Sequence, residues 1–344
     1  MDAAKPRRRA TIIDVAKAAR VSKSTVSLAL KGSPLILPAT IDKVRAAARE
    51  VGYVRNESAS KLASKGQRTL GLFVRDVNEP VYGIMHRAVQ AACDERGIEL
   101  LSATIVGKTN PEREMKALRK LVGSGISALV VGSGTNNPED LTLLSDLLPV
   151  VVAGRPQLID GVVSIGNDEE GNGRSAVDIL ASQGHSRIAV LRIEREDSFS
   201  MGLRMAAACA RIQELGLELI DLPQPSGSSA DIDRALSQAL GGPDRPTAIL
   251  CRHDPMAMDV LRWLHTHSFT TPGDVSLFGF GGWTAGLDLI GLSTIQLAVE
   301  VVAREAVEWG ERLMGEPLDE PSLLRLVPGR FLDNGSVGPP TTVR

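Results

Sequence analysis

Cysteine and aromatic residues are scarce in this 344-residue chain, which has three Cys and eleven Phe, Trp and Tyr together. Cys93, Cys209 and Cys251 are odd in number and far apart. That excludes a disulfide framework and a Cys-rich metal knuckle, and they read as reduced core thiols. No apolar run reaches the ~18 residues needed to cross a bilayer, and the basic start is not followed by an apolar signal-type stretch. The expectation is a cytoplasmic protein with no membrane partner. Catalytic signatures are also missing: there is no GxSxG elbow, P-loop, GxGxxG, HExxH or CxxC. His265 and His267, two apart on a predicted helix, point to different faces and make poor metal partners. His185, after Gly184, reads as a capping or core histidine. The chain is expected to be no enzyme and to need no cofactor.

Charge is present but unevenly placed. The formal net charge is −2, yet residues 1–68 hold fifteen Lys/Arg against five Asp/Glu, a charge of +10, and the remainder carries −12. A small basic head on an acidic body is the electrostatic footprint of a polyanion-binding module. Lys5 to Arg9 could be a solvated tail, but Lys17, Lys23, Lys31, Lys43 and Lys61 sit inside patterned segments.

Those segments read as three short helices. Thr11 is placed to cap the first, with Ile12, Val15, Ala16 and Ala19 inward. Ser22 caps the second, with Val26, Ala29 and Leu30 inward and Lys23, Ser24, Ser27, Leu28 and Lys31 outward. The third runs from Pro38 to before Gly52, with Ile41, Val44, Ala48 and Val51 inward. This is the pattern of a helix-turn-helix head. A plain helical bundle has no evident need for a second helix cleared of acids within so basic a segment. Residues 56–64, NESASKLAS, are too short for a helix that persists alone. Their composition fits a plain linker as well as a helix that orders on DNA.

From Thr69 onward, β-rich runs alternate with amphipathic helical stretches: TLGLFV, ELLSATIV, ALVVGS and VVVAG, then RIAVLRI, LELIDLP, TAILCR and VSLFGF. The alternation predicts two doubly wound parallel sheets, with ligand sites beyond the carboxyl ends of the strands.

The stretch ATIIDVAKAARVSKSTVSLALKGSPLILPATIDKVRAAAREVGYVRNESASKLAS resembles the DNA-binding head of the lac-repressor/Gal-repressor family of bacterial transcription factors. The blocks TLGLFVRDVNEPVY, ERGIELL, GHSRIAVL, RPTAILCRHDPMAM and TPGDVSLFGF follow in the family's order, so the likeness spans nearly the whole chain. It implies an all-α helix-turn-helix head with a basic tail (1–55) and a hinge helix and linker (56–68). A two-lobed effector-binding and dimerisation core like the periplasmic binding proteins (69–335) follows, then a flexible tail (336–344). The resemblance places Lys23, Ser24 and Leu28 at base-reading positions, with Thr25 and Ser27 near phosphates. Thr11, Lys31, Tyr53, Asn56, Ser60, Lys61 and Leu62 complete the expected DNA contacts, Leu62 as a wedge in the minor groove.

Two positions of the head depart from the family pattern. Arg20 stands where the turn usually has Gly or Asn, and Leu28 often corresponds to Arg. Leu can touch a thymine methyl but cannot bond guanine, so a known operator sequence does not carry over.

The expected partners are a pseudo-palindromic double-stranded operator, a small-molecule effector (sugar, sugar derivative or nucleoside) and a second copy of the chain. Helices near 80–96 and 254–266 would form the homodimer interface. Strand ends combined with the resemblance nominate Asp76, Asn78, Tyr82, Arg155, Asn167, Arg204, His253, Asp254 and Trp283 for the effector. Asp254 reads equally as a helix N-cap. Family sensors usually have Asp at the position of Gly281, and often at that of Gly154. Their absence points to an effector that is anionic or poorer in hydroxyls than a hexose. A periplasmic-type binding protein without DNA function is the alternative; it would need a leader and no basic head.

Overall fold

The computed structural model describes residues 10–30, 32–53, 68–76, 79–105, 110–132, 137–193, 198–224, 226–316, 320 and 322–340. Lys31, Asn56, Ser60, Lys61, Leu62 and Asn78 lie outside the described residues, and so does the expected hinge. The chain divides into two compact units, Met1–Gln67 and Arg68–Arg344.

The first unit is built on α1 (Ile12–Ala19), α2 (Lys23–Leu30) and α3 (Pro38–Glu50). Thr11 starts α1 with a capping box: its side chain accepts from the Asp14 amide, and the Asp14 carboxylate accepts from the Thr11 amide at 2.8 Å. Arg20 ends α1 in the left-handed region, φ 51° and ψ 48°, where a residue with a Cβ is strained by roughly 1–2 kcal/mol. That conformation turns the chain at once, and Ser22 starts α2 by accepting from the Thr25 amide at 3.0 Å. Val15, Ala19, Val26, Ala29, Val44, Ala47 and Ala48 fill the centre between the three helices. Small residues let helices this short approach closely enough to share one core.

The second unit holds two six-stranded sheets. The first lobe begins with β1 (Thr69–Val74), α4 (Pro80–Glu95), β2 (Glu99–Thr104) and α5 (Pro111–Gly123). It continues through β3 (Ala128–Gly132), α6 (Pro138–Ser145), β4 (Val150–Ala153) and β5 (Val163–Asn167). The second lobe follows with α7 (Glu169–Ser182), β6 (Arg187–Ile193), α8 (Phe199–Glu214), β7 (Glu218–Gln224) and α9 (Ser229–Leu240). It goes on with β8 (Ala248–Cys251), α10 (Asp254–Thr266), β9 (Ser276–Gly281) and β10 (Thr294–Gln296). The chain then returns to the first lobe for α11 (Val299–Leu313) and β11 (Leu323–Val327), and ends with β12 (Arg330–Leu332) in the second. β1, β3 and β4 are buried along their whole length, the reason they read as unbroken apolar runs.

The first sheet runs β11-β5-β4-β3-β1-β2 and all its pairs are parallel. The second runs β12-β10-β9-β8-β6-β7, and there β12 pairs antiparallel with β10, so its edge departs from the expected all-parallel sheet. The lobes are also less sequential than the strand list suggested. Three segments cross between them, at 167–169, 297–299 and 327–330, and they are bonded together. Asn167 Oδ1 accepts from the Ala298 amide at 2.9 Å, Asn172 Oδ1 from the Gly329 amide at 2.8 Å, and the Val327 carbonyl from the Asp168 amide at 2.8 Å.

The expected flexible tail at 336–344 is corrected for its described part. Ser336 is buried, donates to the Leu277 carbonyl at 2.6 Å and accepts from the Ser293 amide at 2.7 Å. The Gly338 amide donates to Ser276 Oγ at 3.1 Å, and its carbonyl lies 2.9 Å from His185 Nε2. Residues 336–338 therefore close the β9 side of the second lobe. His185 is the core histidine expected, and burial lowers its pKa.

Candidate nucleic-acid interface and ligand pocket

The outward face of α2 is set by its inward one. Val26 and Ala29 are fully buried, so Lys23, Ser24 and Leu28 face solvent, and Leu28 is 36% exposed. No carboxylate occurs among the eight residues of this helix. A cation near a helix N-terminus, a hydroxyl and a branched apolar tip form a surface for phosphates, base edges and thymine methyls. Thr25 and Ser27 are half-buried, and the Thr25 hydroxyl lies 2.8 Å from Ser22 Oγ. Thr11 uses its hydroxyl in the capping box, donating to Asp14 at 2.7 Å. Tyr53 packs half-buried against the core of this unit.

In the second unit a cavity of about 270 Å³ opens between the lobes beside the crossing segments. The first lobe contributes Arg75, Glu79 and Tyr82; the second contributes Arg204, Arg252 and His253. Asn167, Leu297 and Val299 line it from the crossings themselves. Ser200 Oγ donates across to the Gly154 carbonyl at 2.8 Å, which holds the lobes together at one edge.

Charge in this cavity is arranged by burial. Arg204 and Glu169 are each 2% exposed. Arg204 Nε and Nη2 reach Glu169 Oε2 at 2.7 and 2.6 Å, while Nη1 donates to the Arg252 carbonyl at 3.0 Å. The guanidinium also sits over the Phe280 ring, 4.8 Å from its centroid. His253 Nδ1 accepts from the Met256 amide at 3.0 Å and so caps α10. Burial, then the charge of Arg252, pushes the pKa of His253 down to about 4, so the ring is neutral near pH 7. Tyr82 has its pKa raised by burial and lies beneath the Arg75 guanidinium.

Of the two roles the sequence left open for Asp254, the helix N-cap is corrected. The N-cap is His253, while Asp254, 1% exposed, accepts from Thr294 Oγ1 at 2.7 Å and the Gly282 amide at 2.6 Å. Its carboxylate fixes the 281–282 turn and lies within 2.7 Å of where a Cβ on Gly281 would stand. Gly281 has φ +139°, a region that side chains rarely adopt. Among the described residues no group of three His, Cys, Asp or Glu is placed to hold a metal ion. No helix among them is long and apolar enough to cross a membrane.

Residues 11–56 match the family model described as bacterial regulatory proteins, lacI family, and residues 177–337 match a periplasmic binding protein-like domain. The chain is 30% identical over 340 residues to the HTH-type transcriptional regulator GalR of Salmonella typhimurium, covering 96% of this chain and 97% of that one. It belongs to the lacI family. Among solved structures, a lac repressor dimer bound to operator and an anti-inducer superposes with TM-score 0.80 at 22% identity, covering 96% of this chain and all of the other. A complex of the transcriptional regulator CelR with cellobiose gives TM-score 0.62 at 25% identity, covering 95% and all of the other. This lacI-family protein is thus a DNA-binding transcriptional regulator and not an enzyme.

Of the nine effector positions expected for this lacI-family regulator, Tyr82, Asn167, Arg204 and His253 line the cavity between the lobes. Asp254 and Trp283 border a smaller one of about 100 Å³, which Arg204 and His253 share. Trp283 donates from Nε1 to the Leu297 carbonyl at 2.9 Å. Asp76 and Arg155 line neither cavity; Arg155 is buried with its guanidinium over Phe199 and Nε bonded to Gln157 at 2.8 Å. Sequence reasoning missed Arg75, Glu79, Glu169, Ser200 and Arg252. The signal for two of them was available: Arg75 directly follows β1 and Arg252 directly follows β8, and the strand-end rule was applied one residue too late.

Proposed function

We propose that this lacI-family regulator is a repressor acting in the cytoplasm, whose hold on a pseudo-palindromic operator is set by a small molecule between the lobes of its core. The outward face of α2 carries the reading: Lys23, Ser24 and Leu28 are exposed on a helix whose opposite side is fully packed. Lys23 and Ser24 read base edges, and Leu28 meets a thymine methyl. The effector belongs to the sugars, sugar derivatives or nucleosides, a reading supported by the similarity to the CelR–cellobiose complex. Two copies act together, since one head reads too few bases for tight specific binding. α4 and α10 supply the interface.

The experiment is selection of bound sequences from random DNA with the full-length protein, followed by anisotropy titrations on the selected site. Lys23→Ala and Leu28→Ala should each relax preference at one or two positions per half-site, at about 1–3 kcal/mol per base pair. Equal affinity of the wild type for the selected site and for random DNA would overturn the proposal.

A further inference from the structure

We infer that the effector carries a compact apolar group, aryl or branched alkyl, on its polar body, and that the smaller cavity beside the space between the lobes seats that group. The inference deepens the ligand-controlled reading above and rests on it.

The smaller cavity, about 100 Å³, adjoins the larger one, because Val81, Met201 and Leu297 belong to both walls. Beyond them the wall changes character. Pro80 at the start of α4, Pro255 at the start of α10, Phe280 on β9 and Trp283 after the 281–282 turn close it with rings and hydrocarbon. Gly281 adds no side chain, and its φ of +139° and the nearness of Asp254 keep one out.

Most polar groups on this wall are already committed. Arg204 donates to Glu169 and to the Arg252 carbonyl, and its guanidinium lies over the Phe280 ring. Asp254 accepts from Thr294 with one oxygen and from the Gly282 amide with the other. Trp283 spends its single donor, Nε1, on the Leu297 carbonyl. His253 accepts at Nδ1 from the Met256 amide. Among the described residues, His253 Nε2, the half-buried Thr284 hydroxyl and the exposed Glu79 carboxylate have no such partner. Polar groups gather instead on the larger cavity, where the Tyr82, Ser198 and Ser200 hydroxyls and the Asn167 carboxamide join Glu79. Ser200 donates to the Gly154 carbonyl yet keeps lone pairs that accept, and Asn167 keeps its NH2.

A hydroxyl-rich ring seated in the smaller cavity would bring several donors out of water against rings and hydrocarbon, and each one left unmet weakens binding. An apolar group leaves nothing unmet, and its burial frees water from both surfaces. The volume holds roughly six to ten heavy atoms, one ring or a branched alkyl group. The polar body then occupies the larger cavity, where both donors and acceptors meet it.

The test is calorimetric titration of the full-length protein with matched probes: glucose, galactose and xylose, and the phenyl and isopropyl glycosides of each in both anomers. At least one glycoside should bind about tenfold or more tightly than its parent sugar. Its binding should also carry the more negative heat-capacity change, the mark of buried apolar surface. Trp283→Ala should cut the margin of glycoside over parent to below about threefold. Trp283→Phe, which keeps a ring but loses the bond to Leu297, should retain most of it. Equal losses of parent and glycoside in both variants would make Trp283 a structural prop and overturn the inference, as would parents that bind as tightly as every glycoside, or no binding by any glycoside. Failure here stays distinct from failure of the wider reading. A free sugar that outbinds its glycosides and shifts operator affinity sinks only the apolar seat. A bound probe that leaves operator affinity unchanged sinks ligand control.

Discussion

Replacing Arg204 separates a ligand contact from a structural ion pair, and the structure supports the second. Arg204→Met would strand the Glu169 carboxylate, 2% exposed, without its counter-ion, and would remove the donor to the Arg252 carbonyl. Breaking a buried pair from one side costs about 3–5 kcal/mol. Glu169→Leu strands the guanidinium and should cost a similar amount. Removing both charges leaves two apolar side chains beside Phe280, and such replacements are often close to neutral. The double variant should therefore lie at least ~2 kcal/mol above the sum of the singles. Urea unfolding of the full-length protein, followed by tryptophan fluorescence, measures this, because all three tryptophans (263, 283 and 309) lie in the core unit and the head contributes no signal. A loss below ~1 kcal/mol for Arg204→Met, or strict additivity in the cycle, would refute the structural assignment. Loss of ligand affinity at unchanged stability would restore the role implied by family resemblance.

Two further outcomes follow from the same wall. The folded pKa of His253, about 4, lies below its ordinary 6.5, so the folded core binds fewer protons between those values than the unfolded chain. Stability is fully present above pH ~6.5 and falls toward pH ~4, by up to ~3 kcal/mol; His253→Asn, which keeps an acceptor for the α10 cap, should flatten this part of the profile, and an unchanged slope would contradict it. Gly281→Asp, which restores the acid common in family sensors, should lower the melting temperature by an amount equivalent to ~2 kcal/mol or more, because φ +139° strains it and Asp254 occupies its space. A stable variant that gained neutral-sugar binding would show that the turn can rearrange.

The head was legible almost residue by residue. Its helices are short and local, so capping residues and inward faces are written within a few positions of each other; Arg20, singled out for standing where the turn usually has Gly or Asn, is the residue the structure puts in the left-handed region. The core strands buried on both faces were equally plain as apolar runs. β10, β11 and β12 were not read, because they are short or half-exposed, and β5, though buried throughout, because Ser164, Gly166 and Asn167 interrupt its apolar run. The pocket was legible only as a neighbourhood. The strand-end rule brought the right stretches together, but it does not say which way an ion at the end of a strand turns. Arg204, Asp254 and Arg155 are all spent inside the protein by partners far away in sequence: Glu169, Thr294 and Phe199. Resemblance named the positions, whereas burial decided their chemistry.

The return of the chain to the first lobe also bears on how a ligand can act. All three segments between the lobes are bonded to one another at a single place, through Asn167, Asn172 and the Asp168–Val327 pair. A rotation of one lobe against the other therefore has that place as its natural pivot, and the cavity lies against it, since Asn167 belongs to both. Rotation about the pivot would break the Ser200–Gly154 bond and carry Arg252 and His253 away from Arg75 and Tyr82. A ligand bonded to both groups favours the closed arrangement only by the difference between its affinities for the closed and open forms. One bonded to a single lobe shifts nothing, however tightly it binds. A ligand that acts through this pivot must therefore touch both lobes, the side of Tyr82 and that of His253.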